Sequence, residues 1–346
     1  MSRPLSPKKE KRMLEDIWEQ FYWANNARHT FMERYQTAFK MYYNDTIDED
    51  DKRLLYERAQ SDVTLNYLRI LLRKMQSFMT ANQPMWTAFA VNDDDRRSAH
   101  LAKALLSGIW RWSKGYLQTV EMLKSGTVGG LGLWSTYVDY TKRGGLGDVM
   151  LKAFPVQLFY GDWQSMDVDF EDMSFQALSW MITHTQAKKM VDKSDWDKIK
   201  HMTSVYNEYE RLIENDDFTV GQVNDPYDVV KLRRLSYYTK EEETLWEIHD
   251  RIDNNRYHLR EKPVMSFGWH VDVRQRSVPT LRRYDCLYGA GYDDGIIFNK
   301  QDFKFDNYLI SPFVNEFIQN PFPLGEAYFL ESLQKYLDKA LRVAPA

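Results

Sequence analysis

Between Tyr116 and Asp172 a helix-like pattern runs into a glycine string, Gly126-Thr127-Val128-Gly129-Gly130-Leu131-Gly132, and emerges as two-residue alternation. Leu133, Ser135, Tyr137 and Asp139 fall on one face of a strand, and Trp134, Thr136, Val138 and Tyr140 on the other. Gly144, Gly145 and Gly147 supply a tight turn, and Val149, Leu151 and Ala153 continue as a second strand. Period-two alternation around a multi-glycine turn predicts a hairpin, here with a helix in front of it to pack on. The expectation is an α+β core unit that carries no chemistry of its own.

The glycines invite a phosphate-binding reading, which the sequence does not support. A P-loop ends in Gly-Lys-Ser/Thr because the lysine and hydroxyl meet phosphate and magnesium, and that ending is missing. A dinucleotide fingerprint follows a strand and opens a helix, whereas this string leaves a helix and enters a strand. Gly126, Gly129, Gly130 and Gly132 therefore read as structural, as do Pro84 and Gly325, which punctuate helices.

Upstream, residues 8–43 read as helical, with Leu14, Ile17, Phe21, Phe31, Tyr35, Phe39 and Tyr42 at spacings of three and four. A helix over about 63–81 carries Leu65, Leu68, Leu72, Met75 and Met79 as one apolar seam and stops at Pro84. Trp86 to Val91 reads as a short strand. Asn92 to Asp95 cap a helix bearing Leu101, Leu105, Ile109 and Trp112. These carboxylates lack the spacing of a calcium loop.

Downstream, Phe175 to Thr183 is a strand. Thr185 is expected to cap a short helix over 186–191, and Ser194 a longer one carrying Ile199, Met202, Tyr206, Tyr209 and Ile213. From Val229 to about Phe317 the pattern is strand-rich, with VVKLRRLSYY and TLWEIHDR as separate strands divided by a Lys-Glu turn. The tail returns to helix with Leu330, Leu333, Leu337 and Leu341.

With 43% hydrophobic residues, 11 Trp and 22 Tyr, the chain can build a sizeable core and broad aromatic interfaces. A net charge of -4 argues against a non-specific DNA clamp. One cysteine, Cys286, allows neither an internal disulfide nor a cysteine metal cluster and suits a reducing compartment. The charged start predicts no signal peptide, and no apolar run approaches the ~18 residues of a spanning helix, so a soluble protein without membrane anchor is expected. The seven histidines form no HExxH pair, and no Gly-x-Ser-x-Gly elbow is present. No catalytic, cofactor or metal site is predicted.

The remaining signal is a local basic excess. Over 231–283 twelve Lys/Arg face eight Asp/Glu in a chain that is acidic overall. Arg233, Arg234, Arg256, Arg260, Arg274, Arg276, Arg282 and Arg283 are interleaved with aromatic residues such as Tyr237, Tyr238, Tyr257 and Tyr284. That mixture suits a protein interface, a nucleic-acid contact or a solvated strand surface.

The order of elements resembles the portal proteins of tailed bacteriophages, of the podovirus-like type. The resemblance rests on the segment around Asn66 and the break at Pro84, on SGTVGGLGLWSTYVDY and on FPVQLFYGDWQSMD. FQALSWMITHTQAKKM and the closing NPFPLGEAYFLESLQKYLDKAL extend it. It implies a wing-like domain over 1–193, a first stem-like helix and linker over 194–225, a β-rich clip-like domain over 226–318 and a second stem-like helix over 319–346. It further implies a homo-oligomeric ring, twelvefold in the particle, at one capsid vertex. Double-stranded DNA would pass through the ring non-specifically during packaging and ejection. The clip-like arginines would dock the large terminase subunit and then a head-to-tail adaptor, and the major capsid protein would surround the ring. Lys335, Lys339 and Arg342 would either line the DNA channel or simply be exposed at a helix end. The family has no catalytic residues, and it continues past the second stem helix into a tunnel loop, a wing return and a crown, which this sequence does not contain. An aromatic-rich virion-associated hydrolase and a non-channel virion adaptor are the alternative expectations.

Overall fold

The computed structural model describes residues 7–45, 49–58, 64–81, 86–92, 95–201, 231–250, 256–259, 271–289 and 295–343. In chain order the helices are α1 (Pro7–Ala27), α2 (His29–Tyr43), α3 (Glu49–Glu57), α4 (Tyr67–Thr80), α5 (Arg96–Trp112) and α6 (Gly115–Gly129). Strands β1 (Leu131–Asp139), β2 (Asp148–Phe154), β3 (Phe159–Gly161) and β4 (Phe175–Thr183) follow, then the short helices α7 (His184–Met190) and α8 (Lys193–Ile199). Strands β5 (Lys231–Asp250), β6 (Arg256–Leu259), β7 (Val271–Tyr288), β8 (Gly295–Asp302) and β9 (Ile310–Val314) precede α9 (Glu326–Val343). The fold is α+β with antiparallel sheets, as expected. It divides into two compact units, one of Met1–Phe21 with Ser174–Tyr308, the other of Tyr22–Met173 with Leu309–Ala346.

The second unit contains the hairpin. β1 and β2 pair antiparallel from Leu133 opposite Phe154 to Asp139 opposite Asp148, and β9 adds to the other edge of β1. The turn glycines Gly144, Gly145 and Gly147 all have positive φ. Around α6, helices α2, α4 and α9 close a core of Ala38, Met41, Tyr42, Leu68, Leu72, Val128 and Ala327. Polar side chains fix the helix ends. Asn66 accepts from Arg69 N at 2.8 Å and donates to Met41 O and Tyr42 O, capping α4 while satisfying the last carbonyls of α2. Gln334 on α9 accepts from Leu68 N at 3.1 Å and donates to Leu65 O at 2.8 Å.

The helix break into β1 depends on bare backbone. Gly130 has φ +101°, a region that L side chains rarely adopt, and an added Cβ there would collide with Pro323 O and the Leu324–Gly325 peptide. Across the gap, a Cβ on Gly325 would strike Val128 O and Gly130 N. Two stretches nearly 200 residues apart in sequence thus touch backbone to backbone.

In the first unit β4, β5, β7 and β8 form an antiparallel sheet in that order, with β6 paired to the far end of β5. β4 spans Thr239 to Lys231 of β5, whereas β7 pairs with every β5 residue from Arg233 to Asp250. Beyond Thr239 the β5–β7 pair therefore leaves β4 behind. The part of α1 in this unit lies on the sheet: Tyr288 donates to Leu14 O at 3.1 Å, and Trp18 sits 4.9 Å from the Tyr288 ring.

Several expectations change. The long N-terminal helix is interrupted at Arg28, whose buried guanidinium lies 3.7 Å over the Tyr160 ring and donates to Phe159 O and, at 2.8 Å, to Gln157 O. Residues 86–92 are not a strand, and Phe89 and Val91 are exposed there. Both short helices begin two residues early: Thr183 caps the first through a reciprocal capping box with Gln186, and Asp192 stands at the N-cap of the second, instead of Thr185 and Ser194. Two strands expected on either side of a Lys-Glu turn are one continuous β5, because Lys240 to Glu243 all face partners on β7. Met202, Tyr206, Tyr209 and Ile213 of the first stem-like helix lie outside the described residues.

Gly325→Ala should destabilise the chain by ~2 kcal/mol or more, lowering the thermal midpoint by several degrees, because backbone has to move on both sides of the crossing. An unchanged midpoint would show that the crossing is not rigid.

Candidate interaction surfaces

Strand pairing determines what the clip-like arginines can do. Paired residues on neighbouring strands share a face, and faces alternate along the strand. Asp285 on β7 stands opposite Ser236 of β5 and Asn299 of β8, just before a register shift between Asp285 and Cys286. It is 1% exposed. It accepts from Ser236 Oγ at 2.5 Å, from Arg283 Nε and Nη2 at 2.9 and 2.8 Å, and from Asn299 Nδ2 at 2.8 Å. Arg234 Nη2 lies 4.0 Å from the same carboxylate, with its guanidinium over Trp180. Burial pulls the Arg234 pKa down. Arg283 is also penalised by burial, but Tyr238 and Asp285 outweigh this and leave its pKa raised.

Arg233 is buried, donating to Ser179 Oγ at 3.1 Å and lying over the Phe21 ring. It therefore belongs to the core of its unit and does not present a charge to a docking partner. Arg282 bridges Glu241 of β5 and, at 3.3 Å, Asp302 of β8. Tyr284 donates to Glu241 at 2.7 Å; burial first, then this carboxylate, raises its pKa. Arg274 and Arg276 are exposed on the far half of β7, opposite Glu247 and Leu245. Their face of the ribbon also carries Glu243 and Glu241, so the basic excess becomes a ladder of mixed charge. Arg256 belongs to β6, and Arg260 lies outside the described residues.

On α9, Lys335 is exposed and paired with Glu331 at 2.5 Å, one turn back; Lys339 is exposed. Arg342 lies in the last turn of α9. Gly126, Gly129 and Gly132 crowd the α6–β1 junction, where added Cβ atoms would run into Phe313, Tyr35 and Met122 respectively. Pro84 lies outside the described residues. Cys286 is buried, and burial pushes its thiol pKa far up, which makes it an inert core residue. Among the described residues no three His, Cys, Asp or Glu side chains converge in a metal-holding group, and no helix is long and apolar enough to cross a membrane.

Two features escaped sequence reasoning. One is the organising carboxylate Asp285, a single acid among arginines whose role appears only once Ser236 and Asn299 are brought beside it. The other is a set of exposed apolar side chains, of which only Leu101, Leu105 and Leu333 belong to the predicted seams, while Leu68 and Leu72 of the α4 seam are buried. Ile70, Leu71 and Phe78 on α4, Leu101 and Leu105 on α5, and Phe329, Leu333 and Tyr336 on α9 are exposed. These side chains form apolar helix surface that the described residues leave exposed, a pattern that marks interaction surfaces.

Asp285→Ala should cost roughly 3–5 kcal/mol, because it strands Arg283 and Arg234 without their shared anion in a buried site. Chemical denaturation checks this; a loss under ~1 kcal/mol would mean that the carboxylate is dispensable. Tyr238, Tyr284 and Tyr288 all have raised pKa, chiefly through burial. Their neutral forms stabilise the fold fully below the unfolded tyrosine pKa of about 10, and this contribution is lost as pH rises beyond it. Thermal midpoints should fall steeply above about pH 10, and less steeply in Tyr284→Phe.

A family model described as "Phage P22-like portal protein" matches residues 18–340. No curated protein matches the chain.

Proposed function

The chain belongs to the P22-like phage portal protein family, structural proteins that form the DNA-packaging channel of the phage head, and from this we propose that it assembles a homo-oligomeric ring at one capsid vertex. The ring, twelvefold in the particle, passes double-stranded DNA inward during packaging and outward during ejection. It assembles in the host cytoplasm within a shell of the major capsid protein. The observation that carries this reading is the family match over nearly the whole chain. The uncovered apolar faces of α4, α5 and α9 support it, since such faces need partners and a ring supplies them repeatedly.

Within that reading, residues 1–193 act as the wing, 194–225 as the first stem helix and linker, 226–318 as the clip and 319–346 as the second stem helix. The β5–β7 ribbon with Arg274 and Arg276 is the part of the clip that meets the large terminase subunit and later the head-to-tail adaptor. Arg283 holds clip-like strand β7 together from inside, Arg233 and Arg234 tie β5 to Phe21, Ser179 and Trp180 of the wing-like part, and Lys339 of α9 borders the channel. A channel that DNA slides through should grip phosphate weakly, because each basic contact adds affinity. A net charge of -4 suits that requirement.

Negative-stain class averages of the purified chain should display rings with an axial pore. A stable monomer at high concentration would overturn the reading, and a ring-free or pore-free assembly would favour a virion adaptor. Arg274→Glu with Arg276→Glu should leave rings intact and weaken motor or adaptor binding about tenfold or more, as expected for reversed rim charges. Loss of the rings themselves would remove the docking assignment.

A further inference from the structure

Beyond Thr239 the sheet of the first unit narrows. β4 stops there, β6 pairs with β5 only from Trp246 to His249, and β8 pairs with β7 only from Arg282 to Tyr288. Among the described residues, no strand pairs with the outer edge of β7 from Val271 to Thr280. Between Lys240 and Leu245 the described ribbon is two strands wide. Two strands alone are marginal in water, and a third stabilises them.

The register tells which backbone groups this edge offers. Leu281 N donates to Phe305 O at 2.8 Å and Leu281 O accepts from Phe303 N at 2.9 Å, so both groups point away from β5. The N–H and C=O of one residue share an edge, and the edges alternate along a strand. β5 and β7 pair one to one, without a shift, from Arg233 opposite Tyr288 to Asp250 opposite Val271. The backbone groups of Val273, Gln275 and Ser277 therefore point outward like those of Leu281. Pro279 falls on the same edge, where a strand tolerates a residue without an N–H. From Val273 to Pro279 the edge offers a template roughly 20 Å long.

Charge decides what can pair there. Arg274 and Arg276 share one face of β7 and are exposed. Glu243 and Glu247 share that face but stand on β5, one strand further from the edge. An added strand would meet the arginines at about 5 Å and those acids only at about 10 Å. Paired about Gln275, two copies would set Arg274 against Arg276 twice, and like charges directly opposite are destabilising. Such a self-complementary pairing also gives a dimer and not a ring. From this we propose that the outer edge of β7 takes an extended acidic segment of the docking partner as an added strand, its carboxylates beside Arg274 and Arg276. The proposal rests on the docking assignment of the ribbon and adds how the partner is held: main-chain hydrogen bonds supply affinity, and charge selects the segment.

The test titrates the full chain into a labelled, acetylated decapeptide of alternating glutamate and valine. Binding should saturate and should slow amide exchange over residues 271–277. Methylating the peptide's backbone nitrogens should weaken binding tenfold or more. Gln275→Pro should do the same with rings and thermal midpoint retained, since it removes an outward N–H and spares the ladder to β5. A lysine–valine decapeptide should bind at least tenfold more weakly than the glutamate one. If Gln275→Pro fails to fold, the methylated peptide decides. Equal binding of the methylated peptide, or no binding of its parent, overturns strand addition. Equal binding of the lysine peptide overturns the acidic occupant. Ring loss in a folded Gln275→Pro chain makes the edge a seam between copies and overturns the proposal too. Motor or adaptor binding that Arg274→Glu with Arg276→Glu abolishes and Gln275→Pro spares leaves the docking reading standing without strand addition. If neither variant weakens motor or adaptor binding, both fall.

Discussion

The crossing of Gly130 and Gly325 is the constraint on which the second unit depends. Where α6 hands over to β1, bare backbone at Gly130 lies against bare backbone of the segment leading into α9. Asn315 N donates to Gly130 O at 2.9 Å just beside the crossing, so β9 and α9 are anchored to the α6–β1 junction from both sides. Because backbone meets backbone, no rotamer change can relieve a side chain added there. The glycine string that resembles a nucleotide loop is thus occupied by the protein's own chain.

Buried charge does a second kind of organising. Asp285 and Arg28 each gather partners from strands or loops distant in sequence, Arg28 from the carbonyls of Phe159 and Gln157, and Asp285 from the side chains of Ser236 and Asn299 as well as from Arg283 nearby. Such centres contribute little net stability, since desolvation offsets most of the attraction, but removing one partner is costly. They favour a single register over its neighbours. In the sheet, this holds Tyr288 on the inner side of β7, where Leu14 and Trp18 of α1 cover it.

Local periodicity made the hairpin and β4 legible, because a strand's two-residue repeat and a turn's glycines are written within a few residues. The length of β5 was not legible. Glu241-Glu242-Glu243 looks like a turn until Arg282, Ser277 and Tyr284 are set opposite it, and those partners lie some forty residues away. Arg233 and Arg274 look equivalent in sequence, yet one is core and the other rim, since α1 covers only one stretch of the sheet. The seams of α4, α5 and α9 carry the same ambiguity: helical spacing reveals an apolar stripe but not whether the chain itself or another molecule covers it.

The continuity of β5 has a mechanical consequence. From Lys240 to Asp250 it extends roughly 35 Å at the usual rise of a strand, beyond the end of β4. A pull on its far end along the strand axis loads the β4–β5 hydrogen bonds from Phe175 to Thr183 side by side, in shear, so that they must fail together. Two short strands joined by a turn would have opened one bond at a time. A one-piece strand makes the ribbon a tension member, able to carry load from its tip into the sheet that α1 braces.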